Sequence, residues 1–484
     1  MIEIIERSTI ETKGFELNFQ NNPDVVKQAT NDGRTIKEKS DQDINRNVED
    51  LGKYPVVYID GVMIQSTNIK YLQLNNDEYL PIIRMEFNDP TNNLLDDKFP
   101  KDNSIISIFK ESTNKDLMAI KMDFKITDFT VIKGTSGEQL TYQIEAVVDV
   151  DQFYLNVFES YKGKSFDILK KLSLEMKLGF ASNITSTNDE MVWINPSNYR
   201  IEFMKDIIEN SYISDDTFLF GYLDFYYNFN LVDIEKQLNS DISEQNNMLD
   251  REEMIKDGKE NLVPLILTNN PDEGSTNMHI DKYTLINSST NVNLSYGYKY
   301  NAQYYNKSDD QILNYSIDSI SNDTDNAIVL KGNDTDKPGN FLYDNMVVNT
   351  YLGKIDSDNA HKNYLHSKLQ NKNNLKYLQK LKMKVKMSKV NYGLYRFQKV
   401  LLELYNMGKL DPDDSVNKKS VNTASGAARQ HDNKIINKLS GEWLITAINI
   451  RYDQKEGNIQ EITLVKRELT DKYNFPRREK IKDV

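Results

Sequence analysis

The sequence predicts an α+β protein that is predominantly β, with two antiparallel β-barrel domains separated by an α+β module and a polar β-rich region. Three observations predict this class. Two hairpin patterns of similar design lie 319 residues apart (445 − 126), period-two stretches dominate their surroundings, and a segment with helical periodicity lies between them. β-Branched and aromatic residues at every second position favour half-buried strands, and polar connectors containing glycine favour turns.

The two hairpins align on Ile126 and Ile445. Each connecting loop ends on a glycine, Gly137 in the first and Gly457 in the second. The aligned positions match in type at Phe124/Trp443, Thr127/Thr446, Phe129/Ile448 and Val131/Ile450. The match fits a duplicated β-domain, and it also fits two unrelated hairpins, since all antiparallel hairpins share this alternation.

The length of 484 residues exceeds one ordinary core and predicts roughly three domains of about 150 residues each. We divide the chain into a polar N-terminal arm (1–53), a first β-barrel domain (54–151), an α+β intermediate domain (152–260), a polar β-rich region (261–358), a helix plus a second β-barrel domain (359–470, with an insertion at 411–439) and a charged tail (471–484). The arm begins with a possible strand at 2–5 and is expected to order on a partner or not at all.

Strand signals fill the first β-domain. Asp60-Gly61 predicts a two-residue hairpin turn, and period-two stretches predict strands at 56–59, 62–64, 69–74, 80–87 and 104–109. In the polar β-rich region strands are expected at 262–267, 293–305 and 315–320, and a helix at 360–379 leads into the second β-domain.

Helical periodicity marks the intermediate domain. Ser165 is expected to cap a helix that ends at Gly179, and Ser197 or Asn198 to cap a second helix whose inward face carries Ile201, Met204, Ile207 and Ile208. Residues 218–234 then alternate as strands.

Four lysines alternate with apolar residues at the start of the second β-domain, at Lys380, Lys382, Lys384 and Lys386. Because side chains alternate between the faces of a strand, the lysines share one face. This face is either solvated or a basic strip that contacts an acidic neighbour.

Composition excludes several function classes. The net charge of −13 argues against a general phosphate-binding surface. The absence of cysteine excludes disulfides, thiolate metal sites and cysteine nucleophiles, and suits a reducing cytoplasm. The N-terminus lacks a secretory pattern, and the apolar runs are too short to span a bilayer, so no membrane insertion is expected.

No catalytic, cofactor-binding or metal site is predicted, and the chain is not expected to be an enzyme. Glu175, Asp189 and Glu190 could form a carboxylate pair, but solvated charge is the simpler interpretation. His361 and His366 lack metal-binding spacing, and exposed positions are expected for all four histidines, including His279 and His431. The acidic segments at 333–336 and 356–359 lack the glycine and glutamate of an EF-hand and are interpreted as turns.

Three segments resemble the baseplate central hub proteins of contractile phage tails, the family that includes late control protein D and the hub half of VgrG spikes. They are 439–450 with its continuation 461–468, residues 161–180, and the helix that enters the second β-domain. The order of elements over 54–470 is also similar. The polar arm, the 411–439 insertion and the Asn-rich middle depart from the family pattern.

The resemblance implies two tail-tube-like β-barrels per chain, so a homotrimer would present six to a six-fold tail tube and adapt it to a three-fold central spike. It implies a channel for tape-measure protein and DNA in transit, other baseplate proteins as partners, no cofactor, and a place in the virion tail baseplate after assembly in the host bacterial cytoplasm. Three chains would carry 3 × −13 = −39 charges, and we hypothesise an acidic lumen. The alternatives are a distal tail or adhesin-like glycan-binding protein and a tail-associated peptidoglycan hydrolase.

Overall fold

The computed structural model describes most of the β-rich and helical parts of the chain. The described residues are 2–12, 53–90, 94, 100–111, 119–133, 140–242, 265–270, 277–288, 291, 299–306, 310–318, 348–355, 360–405, 435–436, 438–467 and 469. Gly137, His431, most of the 411–439 insertion, both EF-hand-like segments and the charged tail beyond 470 lie outside them.

The described residues among the first 150 form strands, apart from short helical turns. The strands are β1 (Glu3–Glu6), β2 (Val56–Ile59), β3 (Val62–Ile64), β4 (Ile69–Asn76), β5 (Ile82–Asp89), β6 (Ile105–Lys110), β7 (Ile120–Ile132) and β8 (Leu140–Val148). The predicted turn between β2 and β3 is confirmed, because Asp60 and Gly61 both have positive φ, 44° and 80°, as a type I′ turn requires.

The intermediate segment mixes both element types. It contains β9 (Asn156–Gly163), α1 (Ser165–Glu175), β10 (Gly179–Ser182), β11 (Met191–Tyr199), α2 (Arg200–Asn210), β12 (Leu219–Leu223), β13 (Asn228–Asp233) and α3 (Ile234–Asn239). β1 pairs with β10 in a four-stranded sheet, so the first strand of the predicted arm belongs to this segment's sheet.

The remainder is again mainly β. It contains β14 (Ile266–Thr268), β15 (Asn277–His279), β16 (Lys282–Asn287), β17 (Lys299–Asn306), β18 (Gln311–Asp318), β19 (Val348–Ile355), α4 (Tyr364–Leu378), β20 (Leu381–Met387), β21 (Lys399–Glu403), β22 (Gly441–Asp453) and β23 (Gly457–Val465). β17, β18 and β19 form a separate three-stranded sheet.

The predicted fold class is confirmed. The protein is mostly β, and its main sheet is curled into a half-barrel. That sheet has fourteen described strands, and two halves can be distinguished within it. We call β2–β8 the first β-half, and β14–β16 with β20–β23 the second β-half. Within the described strands β4 pairs with β22 of the second β-half, so the two predicted β-domains form one continuous sheet.

One hydrophobic core runs beneath both β-halves and the intermediate helices. Its buried residues include Phe124 and Tyr142 from the first β-half, Leu169 from α1 and Trp443 from the second. The predicted inward face of α2 is also confirmed, since Ile201, Met204, Ile207 and Ile208 are buried. Burial of this size is the main stabilising contribution.

The predicted helix caps are wrong by one or two residues. Ser165 is the first residue of α1, and its amide donates to the Asp189 carboxylate at 2.9 Å, so a distant side chain caps the helix. α2 is capped at Tyr199, because Asn198 is held in a turn by the Asn195 side chain. α1 ends at Glu175, before Gly179.

Gly179 begins β10 at a crowded point between β1 and β13. A Cβ atom there would lie 2.1 Å from Asn228 Oδ1 and 2.8 Å from the Glu6 carbonyl oxygen. Only glycine permits this approach of three strands.

Candidate assembly interface

The two β-halves meet at a seam between β22 and β4. The strands pair antiparallel, from Ile448 opposite Asn76 to Asp453 opposite Tyr71. Beyond the seam, the Gln454 amide donates to the Lys70 carbonyl at 3.0 Å. The backbone ladder therefore continues from one β-half into the other.

The hairpins on either side of the seam have the same dimensions. β7 and β22 are both 13 residues long, and their partners β8 and β23 are both 9 residues long. Ile126 pairs with Ala146, and Ile445 with Leu464, so the register also agrees. The predicted hairpins are therefore confirmed.

Both long strands carry a β-bulge at the same place. The register shifts between Ile126 and Asp128 in the first hairpin and between Ile445 and Ala447 in the second. Thr127 and Thr446 are the extra residues. Their hydroxyls donate to backbone carbonyls of the partner strands, Thr127 to Glu145 at 3.1 Å and Thr446 to Thr463 at 3.2 Å. A shared bulge with a shared hydrogen bond is a specific mark of equivalence, because bulges are retained features of a sheet.

The equivalence extends beyond the hairpins to five strands. The first β-half has the strand order β4-β5-β8-β7-β6, and the second has β16-β20-β23-β22-β21. The pairing partners equate Leu74 with Leu285, Ile83 with Met383, and Ile106 with Val400. These matches favour a duplicated unit over two unrelated hairpins.

Arg396 lies where the seam meets the intermediate segment, and the sequence patterns did not identify it. Its Nε donates to the Thr446 carbonyl at 2.7 Å, Nη2 to the Asp77 carbonyl at 3.0 Å, and Nη1 to the Glu78 carbonyl. The guanidinium also lies 4.8 Å from the centre of the Tyr222 ring. Burial lowers the pKa of Arg396 to about 10. One side chain thus bonds both β-halves and packs on the segment between them.

A second buried cation joins the β-halves near the tip of the second hairpin. Lys110 Nζ donates to the Lys53 carbonyl at 2.7 Å and to the Asn458 side chain, and it lies 5.4 Å from the centre of the Tyr452 ring. Burial lowers the pKa of Lys110 to about 7. The apolar run before Lys110 could have indicated a buried strand, but it did not indicate what surrounds the ammonium group.

The lysines of β20 do not share one environment. Lys380 precedes the strand and is buried, with its ammonium 4.5 Å from the centre of the Tyr377 ring, and burial lowers its pKa to about 8. Lys384 is exposed, whereas Lys386 pairs with Glu456 at 3.0 Å. Lys384 fits the solvated interpretation, whereas Lys386 forms an ion pair within the chain, and a basic strip that contacts an acidic neighbour stays a prediction.

α4 docks on α2 through polar contacts. The His361 ring bonds the Asn210 carbonyl through Nε2 at 2.9 Å, and the Ser367 hydroxyl donates to the same carbonyl at 2.8 Å. The Asn371 amide donates to three more carbonyls at the end of α2. These bonds satisfy carbonyls that a helix end leaves without partners.

The expected exposure of the histidines is wrong for His361 and His366, which are 9% and 1% exposed. Burial lowers the pKa of both rings. Polar neighbours in the sequence suggested a surface, but the His361 ring bonds the end of α2 and His366 lies 3.4 Å from Asp215 in the segment that follows α2. His279 is half-buried.

The three carboxylates considered for catalysis do not form a pair. Asp189 is fully buried, which contradicts the expected solvated charge, and it accepts bonds from the amides of Ser165 and Tyr212, both at 2.9 Å. Glu175 and Glu190 are exposed. Asp189 is therefore a structural anchor of α1.

Metal and membrane features were also sought in the described part of the chain. It contains no cluster of three or more His, Asp or Glu side chains arranged to hold a metal ion. None of its helices combines the length and apolarity needed to cross a bilayer.

Solved structures with a similar backbone include two tail proteins. The tail protein from Neisseria meningitidis MC58 is 9% identical, with 86% of this chain and 97% of that chain covered and a TM-score of 0.47. The 43 kDa tail protein of prophage MuSo2 from Shewanella oneidensis is 8% identical, with 86% and 98% covered and a TM-score of 0.49. A chain of the Francisella PdpA–VgrG complex is 10% identical, with 89% and 61% covered and a TM-score of 0.43. No protein-family model and no curated protein matches the sequence.

Proposed function

We propose that this chain is the structural hub of a contractile phage tail baseplate. Three copies form a ring that adapts the six-fold tail tube to a three-fold central spike. The ring leaves a channel for tape-measure protein and for viral DNA in transit. The function is mechanical, without catalysis, and its place is the tail baseplate of the virion, assembled in the bacterial cytoplasm.

The observation that carries this proposal is the internal duplication. Each chain presents two β-halves with five equivalent strands and one shared bulge, joined edge to edge at the β22–β4 seam. Three chains would therefore present six similar units with only three-fold symmetry. Such an object can contact a six-fold partner on one side and a three-fold partner on the other.

The construction of the junctions suits a part that transmits force. Arg396 donates to backbone carbonyls of both β-halves, Lys110 of the first β-half donates to the Asn458 side chain of the second, and α4 bonds the end of α2. Buried hydrogen-bonded networks hold elements in one arrangement. We infer that the two β-halves and the intermediate segment move as a unit when the sheath contracts.

The partners follow from the same proposal. They are the tail tube protein, the central spike protein, the tape-measure protein and other baseplate proteins. The described residues of the hub-like segments 161–180, 439–450 and 461–468 lie in α1 with its flanks and in the second hairpin with its flanks, which belong to this framework.

The direct test is the solution mass of the purified chain together with projection images. We expect three times the chain mass of 56.2 kDa and a ring with a central hole and six outer lobes. The measurement is repeated over a range of protein concentrations and with the spike protein, because assembly is concentration-dependent.

A chain that remains monomeric under all these conditions would overturn the hub. Retention of glycans by such a monomer would favour the adhesin-like alternative. Cell-wall hydrolysis that is lost when Glu175 and Glu190 are replaced by glutamine would favour the hydrolase.

A further inference from the structure

We propose that two strand edges of this chain bind each other between neighbouring copies. Residues 130–132 of β7 in one copy pair antiparallel with residues 284–286 of β16 in the next copy. The pairs are Thr130 with Ile286, Val131 with Leu285, and Ile132 with Thr284. This inference rests on the proposed ring and names the contact that closes it.

The argument starts from the seam that the chain already makes. There the far half of β22 pairs with β4. In the duplicated unit β7 is equivalent to β22, and β16 is equivalent to β4. By this equivalence, a second seam would join the far half of β7 to β16. The described strands of one chain do not form this second seam.

The two strand edges that would form this second seam, on β7 and on β16, are open in the described residues. β6 pairs with β7 only as far as Lys125, and beyond it β8 is the one described partner strand. β16 pairs with β20 alone. β7 and β16 belong to opposite β-halves, so contact between neighbouring copies can join every copy to the next.

The proposed register is the register of the seam. Val131 corresponds to Ile450 (450 − 319 = 131), and Leu285 corresponds to Leu74 (74 + 211 = 285). Ile450 pairs with Leu74. Transferring this pair places Val131 opposite Leu285, and the flanking pairs follow because both contacts are antiparallel.

Burial supports the same assignment. Leu74 and Ile450 at the seam are 0% and 1% exposed, whereas Leu285 is 37% exposed and Val131 is half-buried. Ile132, at the end of β7, is 45% exposed. Large apolar residues on an open strand edge are a hazard for aggregation unless a partner covers them. A second copy of this chain supplies an edge of matching length and pattern.

Such a contact is heterologous, because it joins different surfaces of the two copies. Repetition of a heterologous contact gives a closed ring or an open filament. In the proposed hub it closes after three copies, with seams within chains alternating with seams between chains.

The absence of cysteine in the chain permits a direct test by disulfide cross-linking. The double variant I132C/T284C places one thiol on each edge of every copy. The matched control Q73C/R451C occupies the equivalent pair at the existing seam. The variant I132C/L285C is shifted by one residue, which puts the two thiols on opposite faces of the sheet.

Under mild oxidation we expect I132C/T284C to give covalent trimers with no larger species, as measured by non-reducing electrophoresis and native mass spectrometry. Q73C/R451C should give disulfide-bonded monomers, detected by peptide mass analysis. I132C/L285C should give at least tenfold less cross-linked product.

The outcomes separate the two proposals. If the unmodified chain is trimeric and Q73C/R451C oxidises but I132C/T284C does not, the edge pairing is wrong and the hub stands. A ladder beyond three copies would retain the pairing and overturn the closed hub ring. A monomer without cross-links would overturn both.

Discussion

The two β-halves share their strands and register, but their long strands end in different surroundings. In β22 the residues beyond the bulge, Ile448 and Ile450, are 2% and 1% exposed. Their equivalents in β7, Phe129 and Val131, are only half-buried. β4 lies along the far half of β22 on the side away from β23, whereas on the side of β7 away from β8 none of the described strands lies along the far half. The same hairpin therefore behaves as the interior of a sheet in one half and as its edge in the other.

The largest effect on stability is expected from two core substitutions, which also test whether the β-halves unfold together. Phe124→Ala and Trp443→Ala each remove a buried ring at equivalent positions. Each should lower the free energy of unfolding by about 3–5 kcal/mol. In a Trp193→Phe background, Trp443 is the only tryptophan and its fluorescence reports unfolding of the second β-half. Because the seam joins the halves, F124A in that background should also shift the unfolding transition that Trp443 reports. The exposed control Asp128→Ala, in the same strand but outside the proposed contact between copies, should change stability by less than about 0.5 kcal/mol. An unshifted Trp443 transition would show that the halves unfold independently.

The next largest effect on stability is expected at Arg396, the junction residue that only the second β-half contains. Arg396→Met removes the donor to the Thr446, Asp77 and Glu78 carbonyls. We expect the free energy of unfolding in denaturant to fall by about 3 kcal/mol, because the buried Thr446 carbonyl loses this donor and the packing of the guanidinium on Tyr222 is lost. At the corresponding place before β6 lies the exposed Asp102 (396 − 294 = 102), and Asp102→Ala should stay within about 0.5 kcal/mol. Equal losses for the two variants would refute a special role for Arg396.

A third prediction uses pH. The pKa of Lys110 is about 7 in the folded chain and near 10.5 when unfolded, so the unfolded state binds more protons between these values. Stability contributed by this group should therefore rise with pH from about 7, by up to about 1.4 kcal/mol per pH unit. The equivalent residue in the second β-half is Leu404 (110 + 294 = 404), which is fully buried.

The variant Lys110→Leu adopts the residue of the second β-half. Urea unfolding at pH 6, 8 and 9.5 should show a flatter pH dependence than in the unmodified chain, with the greatest gain in stability at pH 6. The exposed control Lys384→Gln should leave the pH dependence unchanged. An identical slope in K110L would show that other groups cause it.

The smallest effect compares the two bulges. Thr446→Val removes a buried hydroxyl bond and should cost about 1 kcal/mol. Thr127→Val removes the equivalent bond at an exposed position, where water replaces it, and should cost less than about 0.5 kcal/mol. Thermal unfolding of both variants measures the difference. A larger loss of stability for T127V than for T446V would contradict the exposed position assigned to Thr127 and the buried position assigned to Thr446.

Local patterns predicted the elements that depend on neighbouring residues. The hairpins, the Asp60-Gly61 turn, the inward face of α2 and the helix before β20 all follow from alternation, helical period and turn chemistry. The helix caps were missed because Asp189, 24 residues from Ser165, supplies one of them. A distant partner leaves no mark on the local pattern.

By itself the sequence determined that two similar hairpins exist, because strand alternation is written in consecutive residues. The tertiary structure alone decided that β4 pairs with β22, that Arg396 and Lys110 are buried at the junctions, and that His361 and His366 are buried. These outcomes depend on which surfaces meet after long stretches of chain have folded. Burial and strand pairing depend on those contacts. Equivalent strands therefore lie in the interior of the sheet in one half and at its edge in the other.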